Sequence, residues 1–331
     1  MTINRQILLV SRPKGEPTLD NFHLAAPELP AIGEGQVLVR NFYLSLDPYM
    51  RGRMSDTKSY APPQPLDTVM IGATVGEVIE SRHPDWQPGD AVTAMFGWQE
   101  YGISDGSNLR RLHDARVPMS AYLGAAGMPG VTAWYGLNRI IAPKAGETVA
   151  VSAASGAVGG VVGQLAKRAG CRVIGIAGGE QKCAYVVEAL GFDACVDYKA
   201  GNLDDALHAA APDGIDGYFE NVGGDVLDAV MRNLNPHSRI ALCGMISGYN
   251  GKPIPMKHPA LLLTNRVRLE GFIVSEHMDV WPQALKELTD AVATGELRYR
   301  ETIAQGIENA PAALLGLLKG ENFGKQLVRL V

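Results

Sequence analysis

From Ser152 to Gly159 the chain reads Ser-Ala-Ala-Ser-Gly-Ala-Val-Gly, a turn of small residues in which Ala154, Gly156 and Gly159 have the spacing of a dinucleotide fingerprint. Where a strand passes into a helix through such a turn, backbone N–H groups stay exposed. Together with the helix dipole they attract a diphosphate. The pattern G-x-G-x-x-G fails by one methyl group, because Ala154 holds the first glycine position. The surroundings support it nonetheless. Val149 and Val151 read as a buried strand. Val158, Val161, Val162, Leu165 and Ala166 fall on one apolar helix face, and Gly170 follows at the expected stop. Arg172 to Ala177 starts a second strand. Ala154, Gly156, Ala157, Val158 and Gly159 are therefore the expected diphosphate contacts.

The end of the second strand decides which dinucleotide fits. An NAD site usually places a carboxylate about 20 residues beyond the glycines, to hold the ribose 2′-hydroxyl. Here Gly178 and Gly179 stand at those positions, leaving room for a 2′-phosphate, and Lys182 follows to meet it. NADPH is the expected cofactor. Glu180 is the awkward neighbour, since a carboxylate turned inward would repel the phosphate. The alternative is that Glu180 and Lys182 are ordinary solvated residues of a first helical turn.

The elements that must position this turn are those of an α/β protein. From Gly124 onward strand and helix patterns alternate: helix near Gln181 to Leu190, strand Ala194 to Asp197, helix Leu203 to Ala210, strand Gly217 to Phe219, helix from about Asp225 to Leu234, and strands Arg239 to Cys243 and Val267 to Val274. Six strands with intervening helices predict a doubly wound parallel sheet. Residues 1–123 are β-rich, with short runs at Gln6 to Arg12, Gln36 to Leu46, Gly72 to Ser81, Ala91 to Phe96 and Gln99 to Ser104. They suggest a compact, partly open barrel. Tyr49 to Leu66, with its prolines, reads as a loop. Trp281 to Ala293 and Ala310 to Leu318 read as helices, and Gln326 to Leu330 as a strand returning to the first domain. The expected division is 1–123 with 295–331, and 124–294.

Of 331 residues, 46% are hydrophobic and 20% charged, the balance of a globular chain of two domains, and the net charge of −5 argues against a nucleic-acid partner. No apolar stretch is long enough to span a bilayer and no leader pattern opens the sequence, so a cytoplasmic location is expected. Cys171, Cys183, Cys195 and Cys243 are widely spaced, which suits neither a structural zinc site nor a disulfide framework. Cys183 is the expected exposed thiol. His113, His208, His237 and the other histidines show no metal spacing.

The whole chain resembles a known family. The segments SLDPYMRGRM (Ser45 to Met54), GMPGVTAWYGL (Gly127 to Leu137), AASGAVG (Ala153 to Gly159), ENVGG (Glu220 to Gly224), CGMISGYN (Cys243 to Asn250) and ENFGKQLVRL (Glu321 to Leu330) are similar to those of zinc-independent medium-chain dehydrogenases/reductases. The match is closest to the prostaglandin reductase/leukotriene hydroxydehydrogenase branch, which includes plant alkenal double-bond reductases and bacterial curcumin reductases. The resemblance implies a GroES-like β-rich catalytic domain, a Rossmann domain, and reduction of carbon–carbon double bonds conjugated to a carbonyl, curcumin-like enones among them. Zinc-dependent relatives have Gly-His-Glu in the first domain and four clustered cysteines. This chain has Gly72-Ala73-Thr74 and no cysteine before Cys171, so no metal is expected.

The resemblance also implies roles for single residues. Lys182 and Tyr198 look like 2′-phosphate contacts, although without the resemblance Tyr198 reads better as a core aromatic at a strand end. Gly179 replaces the family's usual serine. Asn221, Cys243, Gly244, Met245, Phe272, Ile273 and Val274 look like the adenine-to-nicotinamide wall, and Asn322 like a C-terminal cofactor contact. Tyr49 and Met128 look like substrate neighbours; Met128, like Trp98, reads equally as core. Arg51 and Arg53 could attract an acidic substrate end or pair with local carboxylates. Hydride delivery to the β-carbon of an enone leaves negative charge on the carbonyl oxygen, so a hydrogen-bond donor is required there. Tyr249, in the loop after the fifth strand, is the candidate, with pocket lining or cofactor stacking as the alternative. A second tyrosine found in some relatives corresponds here to Thr264. Two other functions stay open, an NADPH:quinone reductase of a sister branch and an NADPH-binding protein with a mainly non-catalytic role. A homodimer paired through the sixth strand is expected.

Overall fold

The longest strand of the N-terminal region, β3 (Val37–Ser45), buries Val37, Val39 and Leu44 completely, and its neighbours pair along both of its edges. The computed structural model describes residues 2–112 and 114–331; His113 lies outside the described residues. In chain order the region contains β1 (Gln6–Leu9), β2 (Phe22–Ala25), β3, a short helix α1 (Tyr49–Arg53), β4 (Thr68–Val69), β5 (Thr74–Ser81), β6 (Ala91–Ala94), β7 (Tyr101–Ser104) and β8 (Arg110–Arg111). The second region runs through α2 (Met128–Tyr135), β9 (Thr148–Ser152), α3 (Gly159–Arg168), β10 (Arg172–Ala177), α4 (Glu180–Glu188), β11 (Ala194–Asp197), α5 (Leu203–Ala210) and β12 (Ile215–Glu220). It continues with α6 (Gly224–Arg232), β13 (Leu234–Leu242), α7 (Ala260–Thr264), β14 (Arg268–Gly271) and α8 (Trp281–Ala293). The chain closes with β15 (Glu301–Gln305), α9 (Ala310–Leu318) and β16 (Lys325–Arg329).

The chain divides into two compact units, residues 1–123 with 301–331, and residues 124–300. In the first, a sheet follows the order β15-β16-β3-β5-β6-β8, with β7 also pairing β3. One edge of β3 serves two partners, β7 at residues 37–40 and β16 at 43–45. Strand β16 returns the C-terminus to the first unit. Met50, Met54, Met70 and Trp98 are fully buried below it. Trp98 is thus core, its ring stacked on Phe22 at 5.5 Å.

In the second unit the described residues form a six-stranded parallel sheet ordered β11-β10-β9-β12-β13-β14, the doubly wound order. All five residues of β9 are buried, as a central parallel strand requires. Burial of a side chain such as Val149 or Val151 stabilises the sheet by about 1.5–3 kcal/mol. The crevice above the carboxyl ends of β9 and β12 is the topological switch point, where ligands bind in such sheets.

Several boundaries differ from the sequence expectation. Tyr49–Arg53 is helical, because the loop there turns tightly enough for the Met50 and Arg51 N–H groups to reach Asp47 O and Pro48 O. β14 ends at Gly271, so Phe272, Ile273 and Val274 lie beyond the strand. Residues 295–300, expected in the first unit, group with the second. The Leu297 N–H donates to Ala291 O, and Gln164 clasps Arg298 through both its backbone N–H and its carbonyl. Strand β15 has no counterpart in the sequence reading.

Candidate active site

The turn after β9 is built by its smallest residues. Ala153 has a left-handed φ of 49°, and the Gly156 N–H donates to Ala153 O at 2.9 Å. A Cβ on Gly159 would come within 2.4 Å of that carbonyl oxygen, so only glycine lets α3 start so close to the strand. Ala154, the residue that breaks the fingerprint, is completely buried beneath the turn. Its methyl faces Gly175 on β10, where an added Cβ would meet it at 2.9 Å. The extra methyl at 154 is therefore matched by a missing one at 175. Ala157 and Val158 are half-buried at the start of α3, and no side chain caps that helix. No side chain therefore competes with an anion at that end of the helix, although the Gly160 and Val161 N–H groups already donate to Gly156 O and Val158 O at 3.0 Å.

At the end of β10 the chain forms a second cradle. Gly178 lies under the Tyr198 ring, where a Cβ would meet the ring carbons and the hydroxyl at 2.8 Å. Tyr198 is 43% exposed, which excludes the core-aromatic reading. Asp197 Oδ1 accepts the N–H groups of Gly179 at 2.8 Å and Lys199 at 2.9 Å, and these bonds hold its carboxyl below the usual range. Burial, followed by the nearby charge of Lys199, holds the Lys182 ammonium below its usual value. A cation in that state gains from a phosphate. Glu180 is exposed in the first turn of α4. Asp197 entered the sequence reading only as the last residue of a strand, and Lys199 not at all.

The switch point is tied by a buried polar network. Ser152 Oγ donates to Glu220 Oε1 at 2.9 Å and accepts the Asn221 N–H at 2.8 Å, while Asn221 Nδ2 donates to Ser152 O at 2.8 Å. Glu220 Oε1 also accepts from Val222 N at 2.5 Å and Gly223 N at 3.0 Å. Glu220 is completely buried, and desolvation pushes its carboxyl above the usual value despite these donors. Next to it the Cys243 thiol is pushed up to about 12, first by burial and then by Glu220. The residue as a whole is partly exposed, so only its thiol is withdrawn.

Tyr249 is half-buried, and its hydroxyl accepts the Met245 N–H at 3.4 Å. A Cβ on Gly244 would lie 3.0 Å from that oxygen, so the ring folds over Gly244. Asn221, Cys243, Gly244, Met245 and Tyr249 thus come together at the carboxyl ends of β12 and β13. Phe272 behaves differently. Its ring packs on Tyr135 at 5.3 Å and Phe219 at 6.2 Å, while Val274 is buried with its carbonyl taken by Trp281 Nε1. Met128 is the half-buried first residue of α2.

In the first unit Tyr49 opens α1, and its hydroxyl is pushed well above its usual value by burial and then by Asp47. Arg51 is buried and donates to Ser55 Oγ and Gly15 O, each at 2.8 Å. Asn322 Nδ2 donates to Gly324 O at 2.7 Å. Among the described residues no three His, Cys, Asp or Glu side chains stand together as a metal site, and no helix is long and apolar enough to cross a membrane.

Comparison with known proteins agrees with this arrangement. Residues 5–112 match the family described as the N-terminal domain of oxidoreductase, and residues 157–290 the family described as zinc-binding dehydrogenase. The chain is 49% identical to the NADPH-dependent curcumin reductase of Escherichia coli (strain K12), over 99% of this chain and 97% of that protein. It is 44% identical to the 2-alkenal reductase (NADP(+)-dependent) of Nicotiana tabacum, over 98% and 97%. The crystal structure of CurA in complex with NADPH from Vibrio vulnificus, 48% identical, superposes with a TM-score of 0.94 over 99% of both chains. With likeness of this extent across both units, and with the strand order and turn chemistry described above, the chain belongs to the zinc-independent medium-chain dehydrogenases/reductases.

Proposed function

We propose that this protein is an NADPH-dependent oxidoreductase that reduces the carbon–carbon double bond of α,β-unsaturated ketones and aldehydes. The observation that carries the proposal is the corner made by Gly178, Lys182 and Tyr198. It offers a partly buried cation and an exposed tyrosine, with glycines rather than a carboxylate at the end of β10, and the neighbouring Asp197 carboxylate is engaged by the Gly179 and Lys199 N–H groups. The residues suit the cofactor. The turn from Ala154 to Gly159 leads into a helix start with no side-chain cap to compete with the diphosphate, and the Asn221 and Cys243 to Met245 segments line the switch point beside it. When bound, NADPH supplies the hydride.

Tyr249 then has a definable task. Its oxygen lies 3.4 Å from the Met245 nitrogen at the switch point, and a tyrosine hydroxyl can donate its own proton in a hydrogen bond as well as accept one. Donated to the substrate carbonyl oxygen, that proton stabilises the enolate charge as it develops, an effect worth about 3–4 kcal/mol of barrier. Tyr249→Phe is expected to lower kcat by a factor of about 100 or more while leaving the NADPH Kd within about twofold. An unchanged kcat would remove Tyr249 from the chemistry. Lys182→Ala is expected to weaken NADPH by about tenfold or more and NADH hardly at all, as read by fluorescence titration. Equal losses for both would refute the phosphate role.

The family resemblance supports Tyr49 and Met128 as substrate contacts, and Phe272 to Val274 and Asn322 as cofactor contacts. It also supports a cytoplasmic homodimer. The outer edge of β14 belongs to the last strand of its sheet and is available for pairing across a two-fold axis. Sedimentation equilibrium would give twice the 35.4 kDa chain mass for a dimer. The direct test of activity is NADPH oxidation against a panel of enones, alkenals and quinones. Turnover of enones or alkenals is expected; quinone turnover alone would move the protein to a quinone reductase.

A further inference from the structure

Cys183 and Cys195 have no sequence spacing that marks them as a pair, yet their sulfurs face each other. Their Sγ atoms are 3.1 Å apart, with the Cys195 thiol donating to Cys183. Cys183 follows Lys182 in the first turns of α4. Cys195 lies on β11, the outer strand of the sheet, two residues before Asp197 and three before Tyr198. The pair therefore bridges the two elements that carry the 2′-phosphate corner. Both residues are half-buried.

We propose that Cys183 and Cys195 form a reversible disulfide that weakens binding of NADPH through its 2′-phosphate. The effect on the nucleotide rests on the cofactor reading above; the disulfide itself does not.

The oxidant is a low-molecular-weight disulfide such as oxidised glutathione. The Cys183 thiolate attacks one of its sulfurs, breaking the S–S bond and releasing one glutathione thiolate. Cys195 loses its proton to solvent and attacks Cys183 Sγ, breaking the mixed disulfide and releasing the second. Two protein thiols give up two electrons and two protons, and the oxidant leaves as two thiols. The order follows from the geometry. Burial raises both thiols, but the hydrogen bond from Cys195 draws Cys183 back down, so Cys183 ionises first and Cys195 resolves.

Closing the bond brings the sulfurs to about 2.05 Å, a movement of about 1 Å from their present separation. The space is available, since Gly175 lacks the Cβ that would stand 2.8 Å from Val186 and 3.2 Å from Cys195 Sγ. The movement draws the first turns of α4 toward β11. It displaces Lys182 and strains the bond between the Gly179 N–H and Asp197. Loss of one charge-assisted hydrogen bond to a phosphate is worth about tenfold in affinity. NADH has no 2′-phosphate and escapes the effect.

The test treats the full chain with oxidised glutathione, maps crosslinked peptides by mass spectrometry and titrates both nucleotides by fluorescence. The expected result is a Cys183–Cys195 crosslink, an NADPH Kd raised about tenfold, an NADH Kd changed less than about twofold, and full recovery on reduction with dithiothreitol. Cys183→Ser should bind NADPH as the reduced protein does and ignore the oxidant, whereas Cys195→Ser should bind NADPH normally before treatment and then stop at the mixed disulfide of Cys183 with glutathione, giving no crosslink within the chain. Absence of the crosslink would overturn the proposal, as would a crosslink that leaves the NADPH Kd unchanged. If the reduced protein showed no preference for NADPH over NADH, the cofactor reading would fall, and the switch with it.

Discussion

Two buried carboxyl groups, one in each unit, hold functional turns by opposite means. In the first unit Asp47 takes Lys325 Nζ at 2.7 Å and Ser45 Oγ at 2.5 Å, and Lys325 also donates to Leu46 O at 2.7 Å. Both partners of this ion pair are about 5% exposed or less, and it anchors the turn that leads into Tyr49. In the second unit Glu220 has neutral donors, the Ser152 hydroxyl and the N–H groups of Val222 and Gly223, and burial pushes its carboxyl up. It anchors the turn that presents Asn221. An ion pair concentrates its energy in one partner whose loss strands a charge. A hydrogen-bonded carboxyl spreads its energy over several bonds that a neutral group can replace.

Mutation should widen that contrast. Lys325→Met leaves a buried carboxylate without its cation, and a loss of about 3–5 kcal/mol in urea unfolding is expected. A loss below about 1 kcal/mol would mean that the pair does not hold the turn. Glu220→Ala leaves the donors of Ser152, Val222 and Gly223 without their acceptor, at an expected cost of about 2–3 kcal/mol. Glu220→Gln keeps an acceptor oxygen in place and should cost about 1 kcal/mol or less at neutral pH. The sign of the pH dependence separates Glu220 from its glutamine variant. Because the folded carboxyl is raised, the unfolded chain loses this proton first as pH rises above about 4.3. The folded state then holds more protons, and its stability falls with pH until the folded group also ionises. Wild type should therefore lose stability relative to Glu220→Gln as pH rises above about 4.3. A constant difference would show that Glu220 is as easily ionised folded as unfolded.

The same contrast explains what the sequence could and could not reveal. Val149, Val151 and the helix face from Val158 to Ala166 follow the periods of strand and helix, so β9, α3 and β10 could be read directly, and the parallel order of the sheet followed from the alternation. The buried carboxyls could not be read this way. Ser152 and Glu220 are 68 residues apart and Asp47 and Lys325 are 278, and no local pattern marks either pair. Ala154 looked like a defect in the fingerprint because its compensation, Gly175, lies on the next strand. β15 was missed because its residues are half-exposed or exposed along its whole length, with no apolar alternation. The facing thiols of Cys183 and Cys195 were hidden for the same reason as the carboxyls, since a helix and a strand bring them together.

The central claim is that hydride passes to the β-carbon of a conjugated carbonyl. Its most direct test is turnover of a simple enone with NADPH deuterated at the transferring position of the nicotinamide, followed by NMR of the product. A saturated ketone with one deuterium on the β-carbon is the expected result. Deuterium on the carbonyl carbon of an allylic alcohol would contradict it.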